Sequence, residues 1–338
     1  MPNRAAQLSM GATRPTGATV SAVVDAAGAE VPRLLAGVER RLGEIARETG
    51  WPLASHAEST LSAGGKRLRP LLVLLAAGAP LAAAAELGLL RAAVAVELVH
   101  SATLVHDDVL DAADLRRGRP TVVAAAGRKM AAATGDALFA RAFSELAAGG
   151  RAEAIRLLSD ASSALARGEL MQRADAWRAD LTLRRYLQRC ELKTARLFEA
   201  ACRLGALEGN GPAVALGAFG RRIGLAFQLL DDVLDVSGPA ARTGKQRGTD
   251  LLDGTVTLPL VLARERDPAL ADVDLRGVRT VEAAEALCER IAATGALDDA
   301  RDRALRIVSD AKTQLPPLSA SQRQAMELVA DGVVDRLG

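Results

Sequence analysis

The sequence predicts an all-α protein, and three observations support this prediction. Hydrophobic residues make up 49% of the 338-residue chain, enough for a sizeable core, yet aromatic residues contribute only 2%. The apolar content is largely alanine, leucine and valine, and alanine and leucine are strong helix formers. Apolar residues recur at steps of three and four, whereas no stretch alternates between apolar and polar residues as a half-buried strand does.

Charge and cysteine content narrow the functional classes. The chain carries 43 basic and 41 acidic residues, a net charge of +2, which gives no reason to expect a nucleic acid or an anionic membrane surface as partner. The three cysteines lie far apart without a CxxC pair, so we expect buried thiols in a reduced cytosol. No secretory signal opens the chain, and the uncharged run 71–85 is short for a membrane span and contains Pro80. These features predict a cytoplasmic protein that is not integral to a membrane.

The first part of the chain divides into a tail and the start of one domain. Residues 1–24 are rich in small and polar residues without firm periodicity, and we expect a mobile N-terminal tail there. A helical pattern runs from Ala27 to about Thr49. The glycine pair 64–65 then marks a turn, and Pro70 suits the first turn of the next helix.

Two later stretches carry clear helical stripes. The first consists of Leu183, Leu187, Cys190, Thr194, Leu197 and Ala201, and the second of Leu216, Phe219, Ile223, Phe227, Leu230 and Leu234. Gly238–Pro239 ends the second helix, and a polar loop runs from there to Gly254. Pro259 then suits another helix start, and residues 277–337 have the pattern of two or three further amphipathic helices. With no internal linker or repeat, residues 25–338 are predicted to form a single domain.

The pentapeptide DDVLD occurs twice, at Asp107–Asp111 and at Asp231–Asp235. On a helix, the first and last aspartates of each copy share a face. Like charges 4 Å apart repel by ~1 kcal/mol in water and ~4 kcal/mol at an effective dielectric of 20, so otherwise apolar helices need a compensating cation. Oxygen ligands without nearby histidine or cysteine clusters suit Mg²⁺, which also binds phosphate oxygens. The alternative, two solvated acidic helix faces, fits poorly with two identical copies inside apolar helices.

Polar residues accompany both pentapeptides. Gln228 lies about one turn before Asp231, and His100 and Thr103 precede Asp107 on one helix face, so these side chains point towards the same sites. A histidine in an apolar helix is commonly a core residue, and for His100 this interpretation and a substrate contact both stay open.

Basic residues stand where a diphosphate would need them. The stretch GGKRLRP at 64–70 joins a glycine turn to three cations, and glycine lets the backbone approach a ligand closely. Arg116 and Arg117 follow Asp111 by five and six residues, and Lys193 and Lys245 complete the set, the latter in the glycine-containing loop after the second cluster. Alone, each group also fits a solvated basic turn. Together with the acidic clusters they meet the requirements of a diphosphate and metal site.

These motifs identify a family resemblance that covers roughly residues 30–335. The matching stretches are GGKRLRP (64–70), LVHDDVLDAADLRRGRPT (104–121), GDALFARAF (135–143), GELMQ (168–172), KTARLFEA (193–200), FQLLDDVLD (227–235) and GKQRGTDLLDGTVTLP (244–259). In order and spacing, the chain resembles the trans-isoprenyl diphosphate synthases (polyprenyl synthetases), and within them the medium- and long-chain all-trans polyprenyl diphosphate synthases. The resemblance implies a bundle of mostly antiparallel helices around a deep central cavity, the isoprenoid synthase fold, usually as a homodimer.

The resemblance also implies residue roles. Direct Mg²⁺ ligands would be Asp107, Asp111 and Asp231, with Asp108, Asp232 and Asp235 acting mostly through metal-bound water, and three magnesium ions with bound diphosphate. The allylic diphosphate clamp would be Arg116, Lys193 and Lys245, and the isopentenyl diphosphate site Lys66, Arg69, His100 and Arg117. Thr194 and Gln228 would lie near the developing allylic cation and, with Lys193, form the catalytic set. One position departs from the pattern, since Thr255 replaces a lysine found in many short-chain members.

The implied reaction is the condensation of isopentenyl diphosphate with an allylic diphosphate, farnesyl or geranylgeranyl diphosphate being the expected primers. Metals and basic side chains would stabilise the departing diphosphate, the isopentenyl double bond would attack the allylic cation, and the released diphosphate is a candidate base for the proton then lost. A dry, apolar pocket would protect the cation from water.

Product length is predicted from the residues ahead of the first cluster. Family members with a bulky aromatic four or five residues before it tend to make shorter products, and here these positions are Ala102 and Thr103. Val99 continues the small-residue line, and Phe139 and Phe143 are candidates for a deeper floor, although all five also fit ordinary core packing. One helical turn of about 5.4 Å is comparable to one isoprene unit. We therefore expect a hexaprenyl to decaprenyl product, of the kind used for quinone side chains.

Three alternatives remain. A geranylgeranyl diphosphate synthase is the main short-chain competitor. A terpene cyclase would lack GGKRLRP and the second acidic cluster. A non-catalytic subunit of a heteromeric synthase tends to lose aspartates, and all six are present here.

Overall fold

The computed structural model describes residues 17–78, 82–178, 180–238 and 247–335. The first ten helices are α1 (Gly17–Ala27), α2 (Glu30–Glu48), α3 (Ala54–Leu61), α4 (Leu68–Ala77), α5 (Ala83–Asp111), α6 (Val122–Ala147), α7 (Ala152–Asp175), α8 (Leu183–Cys190), α9 (Arg196–Glu208) and α10 (Ala213–Ser237). A π-helical turn, Glu191–Ala195, joins α8 to α9. The remaining helices are α11 (Thr249–Leu252), α12 (Leu258–Arg266), α13 (Pro268–Ala271), α14 (Val281–Ala293), α15 (Ala296–Thr313) and α16 (Ala320–Val334), with a 3₁₀ turn at Leu275–Gly277. The all-α prediction is confirmed.

Small residues allow the central helices to pack closely. Helix α9 lies against α4 and α10, and α5 packs on α4, α6 and α9. A Cβ on Gly205 of α9 would overlap the carbonyl of Val73 in α4, and a Cβ on Gly220 of α10 would lie 2.5 Å from the carbonyl oxygen of Phe198. Helices in such contact leave little room for large side chains at these positions. The main buried core runs continuously from Val23 in α1 to Val333 in α16.

The N-terminal region departs from the expected tail. Helix α1 begins at Gly17, so residues 17–24 are helical, while residues 1–16 lie outside the described part of the chain. Val23 is buried, and α1 packs against α16 at the other end of the sequence. A partner distant in sequence stabilises this short helix, and short helices depend on such packing. The next helix begins at Glu30, because Gly28 interrupts the chain at φ +84°.

A short β-hairpin follows α5. Strands β1 (Leu115–Arg116) and β2 (Arg119–Pro120) pair antiparallel, with Arg116 opposite Arg119. The two turn residues, Arg117 and Gly118, both have positive φ values of 53° and 74°. Positive φ at both central positions is the geometry that matches the twist of a two-residue hairpin. Two-residue strands are too short to show alternation in a sequence.

Two of the described helices, α5 and α10, are long and apolar enough to cross a membrane by length and composition. Of their most apolar windows, 72% in α5 and 50% in α10 is buried against other parts of the protein. Each also carries an aspartate pentapeptide near its C-terminal end. We assign both to the core of the bundle, in agreement with the prediction that the protein is not integral to a membrane.

Candidate active site

The first aspartate cluster occupies the last turn of α5. Asp107 is half-buried, and burial raises its pKa to about 6, although the Lys193 ammonium opposes this shift. Asp108 is buried and accepts hydrogen bonds at 2.7 Å from Arg116 on the hairpin. Asp111 is exposed and forms an ion pair with Arg173 of α7. The two aspartates that share the outer helix face are therefore the more accessible ones, as the i, i+4 spacing predicted.

The glycine turn, the hairpin and α5 bring the predicted isopentenyl diphosphate residues together. A Cβ on Gly65 would lie 3.0 Å from Arg117 Nη1, so this guanidinium packs directly on the glycine turn that carries Lys66. Arg69 lies over the Phe198 ring at 4.7 Å. Burial lowers the pKa of His100 well below its usual value, and Arg69 and Arg117 reinforce the shift. His100 is thus a neutral imidazole beside several cations.

Arg67, the second of the three cations after the glycine pair, has a structural role that the sequence did not reveal. Its guanidinium contacts Glu97 at 2.6 Å, Glu39 at 2.5 Å and the carbonyl oxygen of Leu61 at 2.6 Å. Glu97 is buried within α5, so the pair connects the turn to that helix. Arg67 itself adopts φ 45° immediately before α4. This network holds the loop in place, so Arg67 has a structural role rather than the ligand-binding role expected of the triplet.

The π-helical turn presents Lys193 and Thr194 between α7 and α10. It packs against both helices, and glycines allow the close approach on each side. A Cβ on Gly168 of α7 would lie 2.7 Å from Lys193 Cα, and one on Gly224 of α10 would lie 2.8 Å from Ala195 Cα. Single π turns are frequent at functional sites, where the extra residue redirects side chains.

The two neighbouring side chains of this turn contact opposite sides of the site. Lys193 forms an ion pair with Glu169 and donates to Gln172 Oε1 at 3.2 Å, and its charge acts on Asp107 of the first cluster. The Thr194 hydroxyl donates to Gln228 Oε1 at 2.7 Å, on the helix that carries the second cluster. One turn of chain therefore connects the surroundings of both pentapeptides.

The second cluster has a buried middle residue and more accessible flanks. Asp232 is buried and accepts from Tyr186 Oη at 2.5 Å and from Gln228 Nε2 at 2.8 Å. Burial raises the pKa of Asp232 to about 7, and these two hydrogen bonds oppose the shift. Asp231 and Asp235 are half-buried. Asp232, like Asp108 of the first cluster, is thus held by protein donors, and a role for either through metal-bound water stays a prediction.

The loop after α10 folds back onto the second cluster. The Asp250 amide donates to Asp235 Oδ2 at 3.3 Å. The buried guanidinium of Arg189 donates to the carbonyl of Val256 at 2.5 Å, next to Thr255. Lys245, the predicted clamp residue, lies outside the described residues.

The predicted chain-length residues lie on α5 and α6, which pack against each other. Val99 and Ala102 are fully buried, and the Thr103 hydroxyl donates to the His100 carbonyl at 2.8 Å. Phe139 and Phe143 on α6 are half-buried against the core, and Phe139 stacks on His106 with ring centroids 5.7 Å apart. These five positions are thus in packed protein, and their effect on product length stays a prediction.

The donors fit magnesium, although the acidic residues do not enclose an ion by themselves. Within the four described ranges, no group of three or more histidine, cysteine, aspartate or glutamate residues converges to hold a metal. Asp107 and Asp111 on α5, and Asp231 and Asp235 on α10, instead offer pairs of carboxylates with oxygen-only donors. Mg²⁺ is usually bound through one or two carboxylates while water and substrate phosphates complete its octahedron, so the arrangement suits an ion that arrives with a diphosphate.

Sequence reasoning missed the side chains that support this site. Glu169, Gln172 and Arg173 of α7 surround Lys193 and Asp111, and Tyr186 supports Asp232. The spacing of four residues between Glu169, in the GELMQ stretch, and Arg173, which directly follows it, was a visible ion-pair signal. Nothing local in the sequence marks Tyr186, because its partner lies 46 residues away.

Comparisons with known proteins agree with this geometry. The family model for polyprenyl synthetase matches residues 52–291. A heptaprenyl diphosphate synthase component 2 from Geobacillus stearothermophilus is 43% identical over 73% of this chain and 77% of its own length. A geranylgeranyl diphosphate synthase from Methanosarcina mazei is 37% identical over 82% of this chain and 87% of its own length.

Solved structures extend the likeness to the whole fold. A polyprenyl synthase from Caulobacter crescentus CB15, complexed with calcium and isoprenyl diphosphate, superposes with a TM-score of 0.82 at 36% identity, covering 93% of this chain and 97% of that one. A decaprenyl diphosphate synthase from Rhodobacter capsulatus gives 0.81 at 31% identity, over 96% and 100%. With two acidic pentapeptides on core helices and matching relatives over most of its length, the chain belongs to the polyprenyl synthetase family of prenyltransferases.

Proposed function

We propose that this enzyme is a Mg²⁺-dependent all-trans polyprenyl diphosphate synthase that adds isopentenyl diphosphate stepwise to an allylic diphosphate. The observation that carries the proposal is the π-helical turn. The Lys193 charge stabilises the ionised carboxylate of Asp107 in the first cluster, while Thr194 is hydrogen-bonded to Gln228, which in turn is hydrogen-bonded to Asp232 of the second. A turn that places a cation beside one pair of carboxylates and a hydroxyl beside the other suits a substrate whose diphosphate binds metal and whose hydrocarbon enters an apolar core.

The residues divide into two proposed diphosphate sites. Lys193 and Arg116, with Lys245, bind the allylic diphosphate next to the first cluster. Lys66, Arg69, His100 and Arg117 bind isopentenyl diphosphate, and the neutral state of His100 supports a hydrogen-bonding role. Arginine forks and lysine point charges are the usual ligands of phosphate oxygens.

Bound magnesium, three ions in the full complex, would neutralise the diphosphate as it leaves. Asp107, Asp111 and Asp231 are the direct ligands in this proposal, and Asp235 acts through water. Lys193 and Arg116 add positive charge around the leaving oxygen, since preorganised charge in a water-poor site stabilises a transition state strongly. Thr194 and Gln228 direct oxygen dipoles towards the electron-deficient carbon, and the surrounding core excludes water from it.

A medium to long product, from hexaprenyl to decaprenyl, is proposed, with farnesyl or geranylgeranyl diphosphate as primer. Support comes from the small side chains at Val99, Ala102 and Thr103, which set no aromatic barrier ahead of the first cluster. The relatives include both heptaprenyl and geranylgeranyl enzymes, so a geranylgeranyl product is the alternative.

A cytoplasmic homodimer is the proposed assembly. The relative named as component 2 of a heptaprenyl diphosphate synthase suggests the alternative of a second, different subunit. All six aspartates are present, which favours a chain that is catalytic by itself. Activity of the purified single chain would separate the two assemblies.

The test is chromatography of dephosphorylated products made from labelled isopentenyl diphosphate with geranyl, farnesyl or geranylgeranyl diphosphate and Mg²⁺. A ladder ending between six and ten isoprene units supports the proposal, and a single geranylgeranyl product supports the alternative. Farnesyl or geranylgeranyl diphosphate supplied alone is the control. Consumption of either without isopentenyl diphosphate would identify a cyclase and refute chain elongation.

A further inference from the structure

The carboxylate of Asp111 has a protein partner on a neighbouring helix. Its partner is Arg173, so the contact joins the end of α5 to α7. Both side chains are partly exposed, at 38% for Asp111 and 39% for Arg173. Arginine stays charged at any pH that a protein survives, so Arg173 can leave this carboxylate only by moving.

A second carboxylate competes for the same guanidinium. Glu169 Oε1 lies 3.2 Å from Arg173 Nε, one turn earlier on α7, and Glu169 also pairs with Lys193. The Glu169 side chain is only 8% exposed. The charges thus alternate from Asp111 through Arg173 and Glu169 to Lys193, and Arg173 is shared between an outer and an inner carboxylate.

We propose that Arg173 is a positioning residue that neutralises Asp111 before metal binds, and that Glu169 retains Arg173 when the metal takes its place. The inference rests on the proposed function, because it takes Asp111 to be a magnesium ligand. Arg173 already has one nitrogen on Glu169, so a rotation of its side chain gives that carboxylate the whole guanidinium. No buried charge is left unpaired in either arrangement, which avoids the large cost of an isolated buried ion.

The proposal predicts opposite effects for the two partners. Arg173→Met removes the cation that competes with magnesium, so less Mg²⁺ is needed. Glu169→Gln removes the inner carboxylate that draws Arg173 away, so Arg173 stays on Asp111 and more Mg²⁺ is needed. A merely structural role for either residue would loosen the site and raise the Mg²⁺ requirement of both variants.

The experiment is calorimetric titration of inorganic diphosphate into the full-length protein at a series of Mg²⁺ concentrations. We expect the half-saturating Mg²⁺ concentration to fall about two- to fivefold in R173M and to rise by a similar factor in E169Q, as for a partly exposed ion pair. Arg167→Met is the matched control, because Arg167 is exposed on the same helix and hydrogen-bonds the carbonyl of Ser163. Arg173→Lys keeps the charge and should stay near the wild-type value.

The outcomes separate the two proposals. Unshifted values, or a rise in both variants, would overturn the inference while leaving the proposed function intact. If wild type binds diphosphate with no dependence on Mg²⁺, the proposed function itself fails, and the inference with it. If E169Q does not fold, R173M decides alone, since an unchanged or higher Mg²⁺ requirement in that variant overturns the role of Arg173.

Discussion

Replacing Gly168 with alanine is expected to disable the enzyme by displacing Lys193. The new Cβ would lie 2.7 Å from Lys193 Cα and 2.9 Å from the Leu192 carbonyl carbon, whereas ordinary contact begins at 3.4 Å. The backbone nitrogen of Lys193 lies closer still, so the π-helical backbone must move by more than the difference between 3.4 and 2.7 Å, about 0.7 Å, in an interior that yields little. Overpacking of this kind costs about 1–3 kcal/mol of stability. A catalytic group misplaced by about 1 Å costs about 100-fold in rate, so we expect kcat/KM to fall about 10- to 100-fold.

The assay combines single-primer kinetics with denaturant unfolding of G168A. Gly43→Ala is the matched control, because Gly43 also lies inside a helix, α2, and its Cβ would meet only Arg47 Nη1 at 3.6 Å. That variant should keep full activity and gain about 0.5–1 kcal/mol from the better helix propensity of alanine. Activity of G168A within twofold of wild type would refute the reasoning, as would equal losses in both variants.

Three further predictions test separate parts of the site. Asp107→Ala and Asp231→Ala should each lower turnover by orders of magnitude, since each removes a proposed metal ligand. Asp160→Ala, on the exposed face of α7, is the control and should not lower it. Near-normal turnover in either of the first two variants would refute the metal assignment. Ala102→Phe should shorten the products seen by chromatography. Because Ala102 is fully buried, the substitution should also cost about 1–3 kcal/mol of stability. An unchanged product ladder would show that position 102 does not limit product length. All three cysteines are buried, and burial raises the pKa of their thiols to about 11 or 12. The thiols therefore stay protonated at pH 8 and should react with a thiol reagent only as the protein unfolds. Fast labelling of the native enzyme would contradict that burial.

The helices and the two acidic pentapeptides were predictable because their signals are local. Apolar spacing of three and four residues marks a helix wherever it occurs, and the break predicted after α10 is observed at Gly238. Three further helices were expected at most after residue 277, and α14, α15 and α16 are found there. Aspartates at i and i+4 share a face by geometry alone, whatever the rest of the chain does.

The missing parts depend on contacts between distant residues or on single-residue changes in winding. The stripe from Leu183 to Ala201 predicted one regular helix, yet it contains the π turn, because an inserted residue is hidden in a pattern that already mixes steps of three and four. The Asp111–Arg173 ion pair joins residues 62 apart, and the partner of α1 is at the opposite end of the sequence. No local pattern encodes such pairings.

The winding at Glu191–Ala195 also limits how this enzyme can be altered. Helices α8 and α9 run on either side of it without a break in the chain, so deleting one residue would let ordinary α-helix pass through. Each residue of an α-helix turns the chain by about 100°, so everything beyond the deletion would rotate by about that angle relative to α8. Lys193 would then no longer contact α7 while Thr194 contacts α10. Substitutions can tune this stretch, but its residue count is fixed by the two helices that hold it.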